Sequence, residues 1–443
     1  MNAALDTLLA EPYAAYAYAY PHKTAYRPFA APIPLAEVWH DEPRHALSGY
    51  VHIPFCAYRC GFCNLFALGA PRTGMVEDFL AALERQLASV GAILRALGTS
   101  GFARFAIGGG TPSFLTAGQF VRLLQAARRS LGVDFAHTPL AIEVAPDSAT
   151  AERLQVYRDA GATRISMGVQ SFVDHELDAL ARPRQRVQVE QAVAHIRALR
   201  FPTLNLDLIY GIDGQSVESF LHSLESALAY APEELYLYPL YVRALTGLDK
   251  ARRTRGLLLR RQIYDAACER LAAAGYQQHS MRMFRRADAA LPEQPDYRCQ
   301  DDGMLGFGCG ARSYTRTLHY SDAYAVGRRA VADLIAHYAR QDARTFAHAH
   351  YGVALDPDEQ RRRYLLQSLL LWPGLERAAY SARFGSEVLS DFPQLDALVE
   401  RQLATQDARL FALTPVGMAH ADALGPWLTS AAVQARMAAY AAR

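Results

Sequence analysis

The fold is decided by the stretch Tyr50-Val-His-Ile-Pro-Phe-Cys56-Ala-Tyr-Arg-Cys60-Gly-Phe-Cys63. Its first residues are β-rich and predict a strand, and three cysteines with the spacing C-x3-C-x2-C follow in the next loop. Cysteine thiolates are the usual ligands of iron–sulfur clusters. Three ligands for a cluster of four irons leave one iron open, and an open metal position is what catalysis needs. The stretch therefore predicts a 4Fe–4S cluster held by Cys56, Cys60 and Cys63.

A zinc site is the alternative for these three cysteines. A structural zinc site has four ligands, and the fourth thiolate could come only from far along the chain, from Cys268, Cys299 or Cys309. A chance grouping is the remaining interpretation. The position of the loop after a predicted strand favours the cluster, because α/β barrels place their chemistry at the carboxyl ends of strands.

Short β-rich runs alternate with helical stretches on the carboxyl side of the cysteines. The predicted strands are Tyr50–Pro54, Arg104–Ile107, Leu140–Val144, Arg164–Val169, Thr203–Tyr210 and Leu235–Leu240. The predicted helices are Met75–Leu97, Thr116–Leu131, Ala149–Ala160, Val187–Leu199 and Ser216–Tyr230. This alternation predicts an α/β fold with a parallel sheet and right-handed crossovers. Because six strand–helix units are too few for a closed eight-fold TIM barrel, we expect a partial, open (βα)6 barrel.

The chain outside this barrel divides into further regions. Residues 1–47 form a Tyr-rich N-terminal arm that is expected to pack onto the rest, and residues 48–250 form the (βα)6 core. Residues 251–345, with the Gly-dense segment Gly303–Arg312, extend the core and complete the active site. Residues 346–443 form a small, mostly helical C-terminal domain, in which Leu413–Gly417 predicts a short hairpin or wing.

The composition excludes several classes of protein. Hydrophobic residues make up 51% of the chain, which argues against global disorder. The 46 basic and 44 acidic residues give a net charge of +2, so neither nucleic acid nor an anionic membrane is an expected partner. No apolar run reaches the ~20 residues that span a bilayer, and the N-terminus lacks a secretory signal. Six cysteines in 443 residues do not suggest a disulfide framework, which predicts a reducing, cytoplasmic location.

Glycines and one carboxylate follow the second and third predicted strands. Gly108-Gly-Gly-Thr-Pro112 would let the backbone approach a ligand closely, because glycine has no Cβ. No Gly-Lys-Ser/Thr follows, so the segment is not a phosphate-binding P-loop, and a simple tight turn is the alternative. Glu143 is a carboxylate among apolar residues, which needs either a ligand or a salt bridge to an arginine as its partner.

Further polar residues lie on or near the other predicted strands. Gln170 ends the fourth strand and Arg182 follows twelve residues later, where a solvated cation at a helix end is the alternative. Asp207 is flanked by apolar residues in the fifth strand, which predicts a polar group pointing inward. His52 shares the first strand with Tyr50, and it either faces the cluster or is a satisfied core histidine.

The cysteine stretch resembles the signature of the radical S-adenosylmethionine (SAM) superfamily. From about Tyr50 to Arg312 the sequence is similar to the oxygen-independent coproporphyrinogen III oxidases and their haem-chaperone relatives. The resemblance implies that the open iron binds the amino and carboxylate groups of SAM. An electron from the reduced cluster then cleaves SAM to methionine and a 5′-deoxyadenosyl radical. It also implies a flavodoxin- or ferredoxin-type electron donor and a small-molecule substrate, with a tetrapyrrole as the first candidate.

The same resemblance carries cofactor contacts over to individual residues. The contacts to the first SAM fall on Tyr50, Gly109, Gly110, Thr111 and Glu143. The residues that correspond to surroundings of a second SAM are Phe62, Gln170, Arg182 and Asp207. The number of SAM molecules, one or two, stays open, and no catalytic side chain is assigned.

The chain departs from both groups near the expected substrate pocket. Leu65 stands where the oxidases carry a further cysteine, and Asn64–Leu65 replaces an Asp-Phe pair of the chaperones. Arg312 replaces an apolar residue of the oxidases or a histidine of the chaperones. Three functions therefore stay open: coproporphyrinogen oxidase-like oxidative decarboxylation in porphyrin biosynthesis, radical methyl transfer with two SAM molecules, and haem binding with little turnover.

Several other residues have two interpretations each. Arg282, Arg285, Arg286 and Arg312 could pair with substrate carboxylates, or they are ordinary surface arginines. Cys309 is either a small buried hydrophobe or a reactive thiol near the radical. His279 and His319 are more typical of structural histidines.

Overall fold

The computed structural model describes residues 2–13, 19–99, 101–248, 256–289, 300 and 303–441. Its strands are β1 (Arg27–Pro34), β2 (Leu47–Ile53), β3 (Phe55–Cys56), β4 (Leu68–Gly69), β5 (Phe102–Gly109), β6 (Leu140–Val144), β7 (Ala162–Gln170), β8 (Thr203–Tyr210), β9 (Glu234–Pro239), β10 (Tyr276–Gln278), β11 (Met283–Arg286), β12 (Met304–Phe307), β13 (Arg312–Tyr314), β14 (Leu318–Ser321), β15 (His348–Ala354), β16 (Leu375–Glu376), β17 (Ala404–Gln406) and β18 (Leu410–Leu413). Cys299, one of the alternative metal ligands, lies outside the described residues.

The α-helices surround and extend this set of strands. They are α1 (Asn2–Leu9), α2 (Leu35–Val38), α3 (Met75–Ala96), α4 (Ala117–Leu131), α5 (Ala151–Asp159), α6 (Asp174–Ala179), α7 (Arg186–Ala198), α8 (Val217–Leu228), α9 (Leu257–Ala273), α10 (Arg328–Ala339), α11 (Ala343–Phe346), α12 (Pro357–Leu369), α13 (Arg377–Phe384), α14 (Val388–Asp391), α15 (Asp396–Glu400), α16 (Pro415–Met418), α17 (Ala421–Leu428) and α18 (Ala431–Ala438).

Six parallel strands form the centre of the molecule in the order β2-β5-β6-β7-β8-β9. They are the six strands that the sequence predicts, and the helices α3, α4, α5, α7 and α8 connect them as predicted. Local sequence explains the helix limits: Thr116 and Gln119 form a reciprocal capping box at the start of α4, and Gly132 ends it with a left-handed φ of 71°. The α/β prediction is therefore confirmed.

The sheet continues beyond the six parallel strands on both sides. Its full order is β1-β15-β14-β13-β12-β2-β5-β6-β7-β8-β9-β11-β10. The Gly-dense segment supplies β12, which the sequence did not predict as a strand, and β12 lies parallel to β2. Because β1 and β10 lie at opposite edges, the sheet does not close on itself among the described strands.

The N-terminal arm is part of the sheet. β1 pairs antiparallel with β15, although more than 300 residues separate the two in sequence. Tyr13, Tyr20 and Tyr26 of the arm are buried. The arm thus packs on the rest of the chain as expected, whereas the three proposed domain boundaries stay a prediction.

The C-terminal region is mostly helical and carries a small sheet of its own. Its helices α12 to α18 pack around three short strands in the order β16-β18-β17. The expected hairpin at Leu413–Gly417 is displaced: the hairpin is β17–β18, which ends at Leu413, and Pro415–Met418 is helical. Thr414 caps that helical turn by accepting a hydrogen bond from the backbone N–H of Gly417 at 3.1 Å, which a proline at the first helical position favours.

Candidate functional site

The cysteine loop begins where β2 ends. Cys56 lies on β3 and is paired with Gly69 of β4, and the three cysteines are each partly accessible to solvent. The hydroxyl of Thr111 donates to the Cys56 Sγ at 3.3 Å, and the guanidinium of Arg182 donates to the Cys60 Sγ at 3.2 Å. Two residues that the sequence placed at cofactors therefore hydrogen-bond to two of the three proposed ligands.

The glycine turn after β5 packs directly under the cysteine loop. The backbone N–H groups of Gly110 and Thr111 donate to the carbonyls of Ile53 and Phe55, both at 2.8 Å. A Cβ on Gly110 would lie 2.8 Å from the Phe55 carbonyl oxygen and 3.0 Å from the Cys56 Sγ. A side chain there would displace the loop, so this close approach requires glycine.

The thiols of Cys56 and Cys63 are held in an environment that disfavours their charged form when no metal is bound. Burial raises the pKa of Cys56 to about 12, and the neighbouring Cys63 and Cys60 raise it further by charge repulsion, although the Thr111 hydroxyl opposes this. Burial also raises the pKa of Cys63. A positively charged iron centre would reverse this balance, because metal binding releases the thiol protons. The donor set therefore fits an iron–sulfur cluster.

No three His, Cys, Asp or Glu side chains of the described residues are grouped so that they could hold one metal ion. A 4Fe–4S cluster does not need such a group, because each of its cysteines binds a different iron. The absence of such a group among the described residues therefore does not argue against a cluster at the three cysteines.

Glu143 of β6 lies against the glycine turn. Its Oε2 accepts the backbone N–H of Gly109 at 3.0 Å, and Gly109 has a left-handed φ of 117°. The side chain of Glu143 is exposed to solvent, although protein atoms surround its carboxylate. Burial raises the pKa of Glu143 to about 7, and the negative charge of Asp207 adds to this rise. No arginine forms an ion pair with it among the described residues, so the salt-bridge alternative is wrong.

Gln170, Arg182 and Asp207 meet around one residue of β7. Asp207 is paired with Gly168 in the sheet, and Arg182 donates to the Gly168 carbonyl. Gln170 ends β7 with an unusual φ of 76°, and a Cβ on Gly168 would lie 2.6 Å from its Nε2. The structure brings these three predicted residues together, and Arg182 is not a solvated cation. Their role around a second SAM stays a prediction.

Asp207, like Glu143, is a carboxylate whose pKa is raised. It accepts a hydrogen bond from the Asn205 side chain at 2.7 Å. Burial raises the pKa of Asp207 to about 6, although Asn205 and the charges of Arg164 and Arg182 oppose the rise. Two carboxylates with elevated pKa values therefore line the interior on the side of the cysteine loop.

The first strand carries Tyr50 and His52, and the two rings lie side by side. His52 is buried between the Tyr50 hydroxyl at 3.2 Å and the Phe66 carbonyl at 2.8 Å. Burial lowers the pKa of His52 to about 4, so the ring is neutral at neutral pH. Of its two interpretations, the satisfied core histidine is the one that the geometry supports. Phe62 instead packs on a small apolar cluster at the end of β8, which includes Ile209.

The arginines proposed to face a substrate are mostly paired within the protein. Arg282 forms a buried ion pair with Asp422. Arg285 bonds to Glu234, and Arg286 bonds to Asp288. Arg282 and Arg285 fit neither interpretation, since their partners are buried carboxylates of the protein, whereas the bond of Arg286 to the exposed Asp288 fits an ordinary surface arginine. The ion-pair partners lie far away in sequence for Arg282 and Arg285, so no local pattern could have revealed them.

The single Cys and His candidates are structural. Cys309 is 1% exposed in the apolar core, and burial raises its pKa well above the ordinary value. His319 is fully buried between Tyr26 and Arg363, and His279 packs against Trp372.

Sequence reasoning missed Lys23, a cation that lies near the cysteine loop. Lys23, one of two lysines in the chain, lies 3.6 Å from the centre of the Tyr324 ring, and the Tyr324 hydroxyl donates to the carbonyl of Asn64. Burial lowers the pKa of His22 to about 3, and the positive charges of Lys23, Arg312 and Arg243 lower it further. The rarity of lysine in an arginine-rich chain was the available signal.

Several known proteins resemble this chain. The sequence pattern of the Radical SAM superfamily matches residues 50–227. A protein named heme chaperone HemW from Bacillus subtilis is 30% identical over 63% of this chain and 76% of its own length. The chain belongs to the radical SAM superfamily. An oxygen-independent coproporphyrinogen III oxidase from Pseudomonas aeruginosa is 28% identical to this radical SAM protein, over 83% of the chain and 81% of the oxidase.

The solved structures include a match over the whole radical SAM protein. Coproporphyrinogen III oxidase (HemN) from Escherichia coli superimposes with a TM-score of 0.76 over 98% of this chain and 99% of that one, at 22% identity. At this identity the match shows a shared fold. Membership of the superfamily implies a 4Fe–4S cluster and SAM as cofactors. No helix in the described part of the chain has the length and apolar character to cross a membrane.

Proposed function

We propose that this protein uses Cys56, Cys60 and Cys63 to hold a 4Fe–4S cluster that cleaves SAM, and that it acts as an oxidoreductase on a carboxylate-bearing tetrapyrrole. The observation that carries the proposal is the contact between the cysteine loop and the Gly109–Thr111 turn. When bound, the cluster and SAM together supply a 5′-deoxyadenosyl radical. The chain's own residues bind, orient and shield these groups.

Several of the predicted residues have a role in this proposal that follows from their position. Glu143 is ionised above pH 7, and its carboxylate accepts hydrogen bonds from the ammonium group of SAM. The positive charge of the ammonium group in turn favours the charged form of the carboxylate. The Gly109–Thr111 turn gives the methionine part of SAM close access to the backbone. Thr111 and Arg182 donate to the ligand sulfurs and stabilise their thiolate form.

The substrate class is proposed from cations near the cysteine loop. Lys23 lies over the ring of Tyr324, whose hydroxyl donates to the carbonyl of Asn64. Burial lowers the pKa of His22 to about 3, and the charges of Lys23, Arg312 and Arg243 lower it further. Positive charge beside the loop attracts a ligand with several carboxylates and orients it toward the cluster. A relative named oxygen-independent coproporphyrinogen III oxidase supports a porphyrinogen with propionate groups as that ligand.

The test is a turnover assay on the anaerobically reconstituted protein. Dithionite, SAM and coproporphyrinogen III are supplied, and 5′-deoxyadenosine, S-adenosylhomocysteine, carbon dioxide and porphyrin products are measured by mass spectrometry. We expect deoxyadenosine and carbon dioxide in equal amounts. Deoxyadenosine without carbon dioxide would contradict decarboxylation of coproporphyrinogen III. Formation of S-adenosylhomocysteine would indicate methyl transfer instead.

Substrate recognition is tested separately through the cation from the N-terminal arm. Lys23→Met should raise the KM for the porphyrinogen about tenfold, because it removes one charge-assisted contact. Lys23→Arg is the matched control, since it keeps the positive charge, and its KM should stay within about threefold of the wild type. Equal KM values for all three proteins would contradict a role of Lys23 in carboxylate recognition.

Haem binding with little turnover is the second candidate. The observation that favours it is the 30% identity to the protein named heme chaperone HemW. A haem titration decides between the two: stoichiometric, tight haem binding together with no reductive SAM cleavage would assign the chaperone function.

A further inference from the structure

A groove on the outer surface lies between the start of α3 and the end of α10. Arg72, Arg85 and Arg340 line it, and Asp78 is the one carboxylate among its lining residues. The guanidinium of Arg85 donates hydrogen bonds to the carbonyls of Ala339 and Gln341. Arg72 and Arg340 are exposed. The groove therefore has an excess of positive charge in a protein whose net charge is only +2.

A further cation continues this positive surface toward the cysteines. Arg328 is exposed, and it donates to the carbonyls of Gly69 and Ala70 at 2.8 and 3.3 Å. Arg72 follows Ala70 by two residues. We call Arg72, Arg328 and Arg340 the arginine surface. No carboxylate of the described chain forms an ion pair with these three, whereas Arg122 and Arg184 elsewhere on the surface each bond to two.

The backbone of Gly69 and Ala70 links the arginine surface to the proposed cluster ligand Cys56. Gly69 is paired with Cys56 between β3 and β4, and the N–H of Ala70 donates to the Cys56 carbonyl at 3.0 Å. The same two residues, Gly69 and Ala70, accept the hydrogen bonds of Arg328. A partner bound to this surface would therefore lie close to the cluster.

The charge and position of this surface fit one class of partner. A cluster that cleaves SAM must receive one electron per turnover from outside, and this step rests on the proposed function. We infer that the arginine surface binds an acidic one-electron carrier protein. One electron passes from the reduced carrier to the oxidised cluster, the carrier is oxidised by one electron, and no bond is formed or broken. Charge complementarity of this kind chiefly raises the association rate.

The experiment measures cluster reduction by a carrier of this class. Flavodoxin hydroquinone is mixed anaerobically with the reconstituted protein, and the cluster absorbance is followed by stopped flow at several salt concentrations. Arg72→Glu/Arg340→Glu should lower the second-order rate constant about tenfold at low ionic strength, and its salt dependence should be weaker than that of the wild type. Arg328 is left unchanged because it supports the loop backbone.

A matched control changes the net charge by the same amount elsewhere. Arg129→Glu/Arg200→Glu alters two exposed arginines near the end of α4 and the start of β8, at the opposite end of the barrel. It should keep the wild-type rate within about twofold. If the reversed variant does not fold, Arg72→Gln/Arg340→Gln is used, with an expected loss of about threefold. Equal rates for surface and control variants would overturn the inference.

Dithionite separates this inference from the proposed function. Reduction by dithionite should be equally fast in all variants, because a small reductant does not need the surface. If dithionite reduces the cluster but no deoxyadenosine forms, the proposed function is contradicted. The rates of reduction by flavodoxin still decide whether the arginine surface binds the carrier. Binding of an oligonucleotide to the surface at physiological salt, with no change in flavodoxin-driven reduction, would assign the surface to nucleic acid.

Discussion

Both ends of the barrel interior hold carboxylates, but the partners of these carboxylates differ between the two ends. Where the strands begin, Glu234 bonds to Arg164 at 2.8 Å and to the Nε of Arg285 at 3.2 Å. Where they finish, Glu143 and Asp207 have no cation as a direct partner among the described residues. Their partners are a backbone N–H and an amide.

The pKa values record this difference. Burial by itself would raise the pKa of Glu234, but Arg164 and Arg285 hold it below the ordinary value. Burial raises the pKa of Glu143 to about 7 and that of Asp207 to about 6. We call the end where the strands begin the complete end, because its carboxylate is paired with arginines of the protein, and these ion pairs stabilise the fold. We call the other end the incomplete end, because its two carboxylates have no cation as a direct partner among the described residues. This is typical of a site that binds a charged ligand.

The largest expected effect tests the cysteines of the incomplete end. Cys56→Ala, Cys60→Ala and Cys63→Ala should each abolish cluster binding and SAM cleavage, because each removes one ligand. Iron content and the electron paramagnetic resonance spectrum of the reduced protein are the measurements. Cys309→Ala, which alters a buried thiol of the core, is the control and should retain the cluster. Full iron content in a ligand variant would refute that ligand.

The next effect concerns the glycine turn below the loop. In Gly110→Ala the new methyl group would lie 2.8 Å from the Phe55 carbonyl oxygen, so the loop must move. We expect less than half of the wild-type iron content and a loss of about 1–3 kcal/mol in the free energy of unfolding. Gly118→Ala has open space around its Cβ and should retain full iron. Normal iron content in Gly110→Ala would show that the loop is not held by this contact.

A smaller effect is expected at Glu143. Because its pKa is raised to about 7, the carboxylate gains its charge between pH 6 and 8, and the affinity for SAM should rise over that range. Glu143→Gln should bind SAM about tenfold more weakly at pH 8 and lose this pH dependence. Calorimetric titration of the reconstituted protein measures both. Glu152→Gln, an exposed residue of α5, should behave like the wild type.

The smallest effect on SAM binding is expected at the complete end. Glu234→Gln leaves Arg164 and Arg285 without a buried counter-charge and should lower the free energy of unfolding by about 3 kcal/mol. Since the folded-state pKa of Glu234 is depressed, its stabilisation is present above pH 4.5 and is lost as the pH falls below that value. Urea denaturation at pH 7 and pH 4 measures this. A large loss of SAM affinity in the folded variant would break the contrast between the two ends.

The fold was predictable where short-range patterns determine it. The six parallel strands and their helices follow from β-rich runs and amphipathic periodicity, which adjacent residues determine. β12 was missed because three of its neighbours are glycines, and its strand conformation depends on pairing with β2, about 250 residues earlier. The displaced hairpin at β17–β18 likewise reflects pairing that local propensity does not contain.

The residues of the candidate site could be named from the sequence, but their ion pairs and pKa values could not. The cysteine spacing, the glycine turn and Glu143 follow the ends of strands, and the parallel sheet brings those ends together. The ion pairs of Arg164 and Arg282 join residues 70 and 140 positions apart. The sequence alone therefore could not distinguish a paired arginine from one that faces a ligand.

The amino-acid sequence by itself determined the superfamily, the proposed cluster ligands and the parallel core, because spacing along one loop and periodicity along one strand or helix are local properties. Only the tertiary structure decided which charges are paired, that His52 is a core residue, and that Lys23 lies near the cysteine loop. These depend on distances between elements far apart in the chain, and such distances are set by how the elements pack.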